Sequence, residues 1–131
     1  RKPAAGEGPP GPEPGGAGGR PGHHPGSILE GWVWKQSRFL KQWRRRWFVL
    51  TPQRLDSYRE RGGAAATESL FKGTVMRAFS ADGELLLRNS FCVTGTGRRF
   101  YMVCDNQSQQ QEWIREISRV LLSTPVRKGL P

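Results

Sequence analysis

Lys35, Arg44 and Arg46 are the residues of this chain whose type and spacing could bind a ligand. They lie in the segment GWVWKQSRFLKQWRRRWFVL, residues 31–50, which holds four Trp and no acidic residue. A Lys ammonium acts as a point charge, and an Arg guanidinium can bind two oxygens of one phosphate. Because like charges on one face repel each other unless an anion lies between them, the pattern predicts an anion-binding site.

Two adjacent strands would be needed to bring these three side chains together. On a strand over residues 43–50, the face that carries Arg44 and Arg46 ends in apolar side chains. On the preceding strand, Val33 and Lys35 share a face that is apolar at one end and cationic at the other. A hairpin would therefore gather the three cations at one rim, above an apolar core. An internal acid among them would remove the vacancy that phosphate needs.

The turn between these two strands carries an apolar pair at its tip. Phe39 and Leu40 are flanked by Arg38 and Lys41. Such a tip suits an anionic membrane, because the apolar side chains can enter the headgroup zone while each nearby cation contributes on the order of 1 kcal/mol. The alternative is that Phe39 folds back onto the protein.

The remaining pattern predicts a mostly β domain that ends in one α-helix. Short apolar segments separated by turn formers bring the number of predicted strands to seven, which suggests a barrel or sandwich. The further segments are residues 54–60, 70–76, 84–88, 91–95 and 99–105. Asn106 or Ser108 can cap the helix, and Pro125 cannot extend it. Its apolar stripe is expected to cover an open end of the barrel, with Trp113 in the core.

Length and composition divide the chain into three regions. The 131 residues suffice for one domain, predicted over residues 27–123. Residues 1–26 hold nine Gly and seven Pro and are predicted to form a disordered linker, and residues 124–131 to form a flexible tail. The formal net charge of +10 suits an anionic partner: a membrane surface, an acidic protein or nucleic acid. No apolar run is long enough for a transmembrane helix, and no secretory signal is visible, so a cytoplasmic protein is expected.

Several function classes lack the residues that they need. Cys92 and Cys104 have no metal-ligand spacing and are expected to be buried thiols, with a disulfide across one hairpin as the alternative. Both histidines lie in the predicted linker, and no nucleophile has a base at motif spacing. We therefore expect no enzyme activity, no metal and no cofactor. Nucleic acid is disfavoured because no motif for it appears.

Residues 28–122 resemble a pleckstrin-homology (PH) domain. The resemblance is carried by EGWVWKQ, by WRRRWFVL and by FCVTGTGRRFYMVCDNQSQQQEWIREI with its single Trp113. It implies a seven-stranded, bent antiparallel barrel or sandwich, capped at one end by the helix and carrying variable loops at the other.

The resemblance also implies a ligand and its binding residues. Family members that bind inositol phospholipids typically carry a Lys, a loop and then a basic-x-Arg pattern, which Lys35, Arg44 and Arg46 match. Lys72 stands before Gly73, where similar domains place a further phosphate-binding cation. One departure is the third strand, where members that prefer 3-phosphorylated lipids carry a Tyr and this chain has Asp-Ser at 56–57.

The predicted function is a non-catalytic signalling or adaptor module that is peripheral at membranes. It would bind phosphoinositide head groups and insert the Phe39–Leu40 loop into the bilayer. The predicted head-group ligands are Lys35, Arg38, Lys41, Arg44, Arg46 and Lys72. The alternative is a protein–protein interaction module of the same fold with weak or no specific lipid binding.

Overall fold

The structure of the protein, a computed structural model, describes residues 24–123. The strands are β1 (Leu29–Gln36), β2 (Trp43–Leu50), β3 (Arg54–Tyr58), β4 (Glu68–Phe71), β5 (Val75–Ser80), β6 (Ser90–Gly95) and β7 (Arg98–Val103). The helices are a single 3-10 turn (Lys72–Thr74), the short α1 (Asp82–Leu85) and the long α2 (Gln107–Leu122). Among the residues described, no helix is both long and apolar enough to cross a bilayer.

All seven strands form one antiparallel sheet in the order β4-β3-β2-β1-β7-β6-β5. Strands β4 and β5 are its two edges and do not pair with each other, so the sheet is not a closed barrel. The predicted fold class, seven antiparallel strands followed by one C-terminal helix, is confirmed.

Two of the predicted strands were wrong in detail. Residues 70–76 are the end of β4, the 3-10 turn and the start of β5. Residues 84–88 contain the end of α1 and a left-handed Leu86 whose side chain is 87 % exposed. The backbone N–H of Ser90 and the amide of Gln110 both donate to Asp82 Oδ1, at 3.0 and 2.8 Å. These long-range bonds fold the apolar run into a turn.

The predicted linker and tail fall mostly outside the described residues. Of residues 1–26, the structure describes His24 to Gly26, which contribute to a turn. The His24 ring lies 4.9 Å from the Tyr58 ring, and the His24 N–H donates to Glu30. Residues 124–131 lie outside the described part.

The core lies between the inner face of the sheet and α2. Val33, Phe48 and Leu50 are buried there, together with Trp113 and Ile117 of the helix. This packing agrees with the predicted apolar stripe. It gives the inner face of the β1–β2 hairpin an apolar floor.

Asn106 is the N-cap of α2. Its Oδ1 accepts a hydrogen bond from the Gln109 N–H at 2.8 Å, which satisfies one of the free N–H groups of the first turn.

Cys92 and Cys104 are both buried and free, and burial raises the pKa of Cys104 to about 12. The thiol interpretation is therefore confirmed, and the disulfide alternative is wrong.

The outer face of the β1–β2 hairpin holds its four Trp residues, and two of them, Trp32 and Trp47, contact each other. The Trp32 and Trp47 rings meet edge to face at 5.3 Å, and the Arg45 guanidinium lies 3.8 Å from the centre of the Trp32 ring. Trp47 Nε1–H donates to Glu30 Oε1. Stacking of this kind partly covers the rings, and the Nε and Nη2 atoms of Arg45 are themselves buried in the contact.

Candidate functional site

A recess of about 330 Å³ opens beside the β1–β2 loop. We call it the cationic pocket, because five cationic side chains and one carboxylate line it. Its lining residues are Lys35, Ser37, Arg38, Arg44, Arg46, Thr67, Glu68 and Arg98. Such a lining can hold a polyanion, and it offers no paired acid and base for catalysis.

The register of the hairpin positions the first cations of the pocket. Lys35 is paired with Arg44, and Val33 is paired with Arg46, so all four side chains lie on one face of the sheet. Phe48 continues that face into the core. The sequence predicted this arrangement correctly, because strand alternation alone decides which side chains share a face.

Arg44 and Arg46 have neutral hydrogen-bond partners. Arg44 Nη2 donates to Gln42 Oε1 at 2.9 Å, and Arg46 Nη1 donates to the Arg45 carbonyl at 3.0 Å. Within residues 24–123, neither guanidinium has a carboxylate at ion-pair distance. Burial, followed by the charges of Arg44 and Arg59, lowers the pKa of Arg46. This side of the pocket therefore carries positive charge that has no carboxylate at ion-pair distance in the part of the chain that the structure describes.

The other side of the pocket contains an acid that the sequence did not reveal. Glu68 accepts from Lys35 Nζ through Oε1 and from Arg98 Nη1 through Oε2, the latter at 3.0 Å. Burial alone would raise the pKa of Glu68, but the hydrogen bond and charge of Lys35, followed by Arg98, hold it below its ordinary value. Glu68 is therefore a carboxylate at neutral pH. It fills the vacancy expected beside Lys35, so the three predicted cations do not share one vacant site, and of the three only Arg44 and Arg46 have no carboxylate at ion-pair distance among the described residues.

Asp56, the acid considered from the sequence, faces away from the pocket. Its register partner is Val49, whereas the inner-face Phe48 is paired with Ser57. The Asp56 carboxylate lies 2.7 Å from Arg54 Nε. The next inner-face pair is Ser57 with Glu68, which explains why the acid in the pocket comes from β4.

Lys72 lies apart from the other predicted ligands. Its ammonium donates to the carbonyl and the hydroxyl of Ser123, at 2.7 and 3.1 Å, after the end of α2. Lys72 lines a second recess, which is mainly apolar and has a volume of about 20 Å³, room for roughly one water. We therefore leave Lys72 out of the site.

The β1–β2 loop projects its apolar tip into solvent. Phe39 is 83 % exposed and Leu40 67 % exposed, so the alternative in which Phe39 folds back is not the one observed. Arg38 lines the pocket, and its guanidinium lies 5.1 Å from the centre of the Phe39 ring. Lys41 is exposed in the same loop and does not line the pocket. A hydrogen bond from Ser37 N–H to the Gln42 carbonyl closes the loop.

Arg98, the first residue of β7, also lines the pocket. Its guanidinium reaches Glu68 and lies 4.0 Å from the centre of the Phe100 ring. The neighbouring Arg99 points elsewhere and pairs with Glu84. Alternation along β7 gives the two arginines opposite faces, and this signal was available once the strand was placed.

No group of three or more His, Cys, Asp or Glu side chains suited to a metal ion occurs among residues 24–123.

Comparisons with known proteins agree with this architecture. A family model described as PH domain matches residues 27–122. PH domain-containing protein 1 of Arabidopsis thaliana is 27 % identical over 97 residues, which cover 70 % of this chain and 67 % of that protein. A PH domain-containing protein of Dictyostelium discoideum is 30 % identical over 97 residues, which cover 72 % of this chain but only 21 % of that protein.

A solved structure shares the fold at low sequence identity. The C-terminal PH domain of pleckstrin, in complex with D-myo-Ins(1,2,3,4,5)P5, is 21 % identical with a TM-score of 0.62. The match covers 72 % of this chain and 97 % of that one. At this identity the likeness establishes the fold and leaves the roles of individual residues to the geometry of this chain.

Proposed function

Because this chain belongs to the PH domain family, we propose that it is a non-catalytic module that associates peripherally with membranes by binding phosphorylated inositol head groups. The observation that carries this proposal concerns Arg44 and Arg46. Both line the recess, and neither has a carboxylate at ion-pair distance among the described residues. We also propose an adaptor role for this module; the chain spans about a fifth of the length of the Dictyostelium relative.

The chemistry of the pocket fits phosphate esters better than other anions. A phosphomonoester carries about −1.5 to −2 charges at pH 7 and three acceptor oxygens. A guanidinium donates two parallel hydrogen bonds to such a group, and partial burial of Arg46 strengthens the interaction. The inositol pentakisphosphate complex of the pleckstrin domain supports this ligand class.

A second candidate function is a protein-interaction module. It is favoured by Glu68, which neutralises one side of the pocket and reduces its attraction for phosphate. The PH domain of Slm1 in complex with phosphoserine shares the fold at 17 % identity and a TM-score of 0.62. The two functions differ in whether an inositol head group alone saturates the pocket.

A titration with the soluble head group inositol 1,4,5-trisphosphate, followed by amide NMR, tests the proposal. Saturable shifts are expected at Lys35, Arg44, Arg46 and Arg98. The same chain is expected to sediment with vesicles that contain phosphatidylinositol 4,5-bisphosphate. Phosphatidylserine vesicles of matched charge, at the same salt concentration, should bind it more weakly. Absence of both shifts and sedimentation would reject the lipid function and favour the protein-interaction candidate.

Replacing Phe39 and Leu40 by Ser is expected to weaken vesicle binding about tenfold or more. Insertion of these two side chains removes apolar surface from water, and full burial of each would contribute roughly 1.5–3 kcal/mol. Binding of the soluble head group should not change, because neither side chain lines the pocket. Vesicle sedimentation and isothermal titration calorimetry measure the two effects separately.

Leu122→Ser is the matched control for the loop variant. Leu122 is 84 % exposed at the end of α2, so its loss should leave vesicle binding unchanged. Insertion of the loop would be contradicted if the Phe39/Leu40 variant bound vesicles as tightly as the parent chain.

A further inference from the structure

Glu68 divides the cationic pocket into two unequal sides. On one side, its carboxylate bridges Lys35 and Arg98. On the other side, Arg44 and Arg46 have only neutral partners among the described residues. The Glu68 side chain is 23 % exposed, so water reaches it through the mouth of the pocket.

We propose that Glu68 competes with phosphate for Lys35 and Arg98, so that it weakens the binding of head groups that place a second phosphate on this side of the pocket. This inference rests on the proposed function. The first phosphate would bind at Arg44 and Arg46 without disturbing the carboxylate. A second phosphate on the ring would have to displace Glu68 to reach Lys35.

The charges decide which anions can displace the carboxylate. Glu68 carries one negative charge and is held next to Lys35 by the chain, so it acts at a high effective concentration. The phosphate of a phosphodiester such as phosphatidylserine carries no larger negative charge than Glu68 does. Unlike Glu68, it is not tethered next to Lys35. A phosphomonoester offers up to about −2 and three oxygens, enough to replace both ion pairs of Glu68.

The displaced carboxylate has a route out of the pocket. Glu68 begins β4, and its backbone is fixed by pairing with Ser57, so only the side chain has to rotate. Because this side chain is partly exposed, rotation brings the carboxylate into water rather than into the core. Displacement costs Glu68 its two ion pairs, and this cost reduces the free energy that is gained when a second phosphate binds.

The opposite role is also physically possible for such a residue. Glu68 could hold Lys35 and Arg98 in place for phosphate, in which case its removal would weaken binding. Glu68→Gln separates the two roles, because Gln keeps the size and one acceptor oxygen but loses the charge.

Glu68→Gln is expected to bind vesicles containing phosphatidylinositol 4,5-bisphosphate about tenfold more tightly than the parent chain. The gain should be smaller with phosphatidylinositol 4-phosphate, because one phosphate can be held by Arg44 and Arg46. Soluble inositol 1,4,5-trisphosphate should show the tenfold gain as well, which would place the effect at the head group rather than at the membrane surface.

Glu84→Gln is the matched control, since it changes the net charge equally. Glu84 pairs with Arg99 and does not line the pocket, so less than a twofold gain is expected. A double variant, Lys35→Met with Glu68→Gln, should lose most of the gain. Thermal unfolding verifies that each variant is folded, and Glu68→Ala provides a second variant should Glu68→Gln fail to fold.

The outcomes separate this inference from the proposed function. If the parent chain binds and the folded Glu68 variant binds equally or more weakly, competition by Glu68 is wrong and the proposed function stands. If neither the parent nor the variant binds any of the three probes, both are wrong. Equal gains with Glu84→Gln would show a net-charge effect and overturn the inference.

Discussion

The double variant Arg44→Gln, Arg46→Gln is expected to lose its binding to vesicles that contain phosphatidylinositol 4,5-bisphosphate. Together with Arg38, these two guanidiniums supply the positive charge of the pocket that has no carboxylate at ion-pair distance among the described residues. Each hydrogen-bonded contact with a charged group contributes roughly 1.5–3 kcal/mol. Loss of both should therefore weaken binding by at least about a hundredfold. Sedimentation at fixed salt measures the effect on vesicles, and calorimetry with the soluble head group measures it in solution.

The fold should survive this double substitution. Arg44 is exposed and Arg46 is partly buried, and neither belongs to the apolar core. Each Gln keeps a polar end that can reach water at the mouth of the pocket. A midpoint of thermal unfolding within a few degrees of the parent would show that lost binding is not lost structure.

Arg115→Gln with Arg119→Gln is the matched control for charge. Both residues are exposed on α2 and bond to Glu116, outside the cationic pocket, and their replacement removes the same two positive charges. This control should keep most of the binding, because charges distant from the anion are screened by salt. If the two double variants lost binding equally, the attraction would be diffuse and the pocket would not be the site.

The hairpin half of the site could be predicted because its determinants are local. Period-two alternation assigns Lys35, Arg44 and Arg46 to one face, and a short loop leaves few ways to pair the two strands. The same alternation predicted that the apolar side chains that continue this face of the hairpin belong to the core. The same reasoning predicted the exposed Phe39–Leu40 tip as one of two alternatives.

The other half could not be predicted because it depends on pairing across longer loops. Glu68 follows a loop of nine residues after β3, and its register with Ser57 determines the face on which it lies. Arg98 reaches the pocket from β7, the strand that borders β1 on the side away from β2. Lys72 was placed by family resemblance, but the 3-10 turn that contains it directs its ammonium to the end of α2.

The density of Trp and cations in one segment follows from the two faces of the hairpin. On the inner face the cations stand at the rim, above an apolar floor. On the outer face Trp32 and Trp47 meet edge to face, and Arg45 covers Trp32. The cations of the pocket and the Trp rings therefore lie on opposite faces of the hairpin, and Arg45, on the outer face, lies against a Trp ring. We infer that the outer cluster stiffens the strands that carry Lys35 and Arg46, because its rings link β1 to β2.

Trp113→Ala is expected to lower the free energy of unfolding by about 3–5 kcal/mol. Trp113 is 3 % exposed, and its ring meets Phe48 edge to face at 6.0 Å between centres. Gly31 packs against the ring, and a Cβ there would make an ordinary van der Waals contact, 3.7 Å from Trp113 Cζ2. The truncation removes apolar contacts and leaves a cavity that a strand backbone on one side and a helix on the other cannot fill.

Leu122→Ala on the same helix provides the comparison for Trp113→Ala. Leu122 is 84 % exposed, so its loss should cost less than about 0.5 kcal/mol. Urea unfolding followed by far-ultraviolet circular dichroism measures both variants without relying on Trp fluorescence. A loss of several kcal/mol would bring a domain of this size near its unfolding threshold. Since Phe48 and Arg46 lie on the same strand, this loss would also remove head-group binding indirectly. A Trp113→Ala change that cost less than 1 kcal/mol would contradict the packing of α2 against β2 and the apolar floor that this packing gives the hairpin.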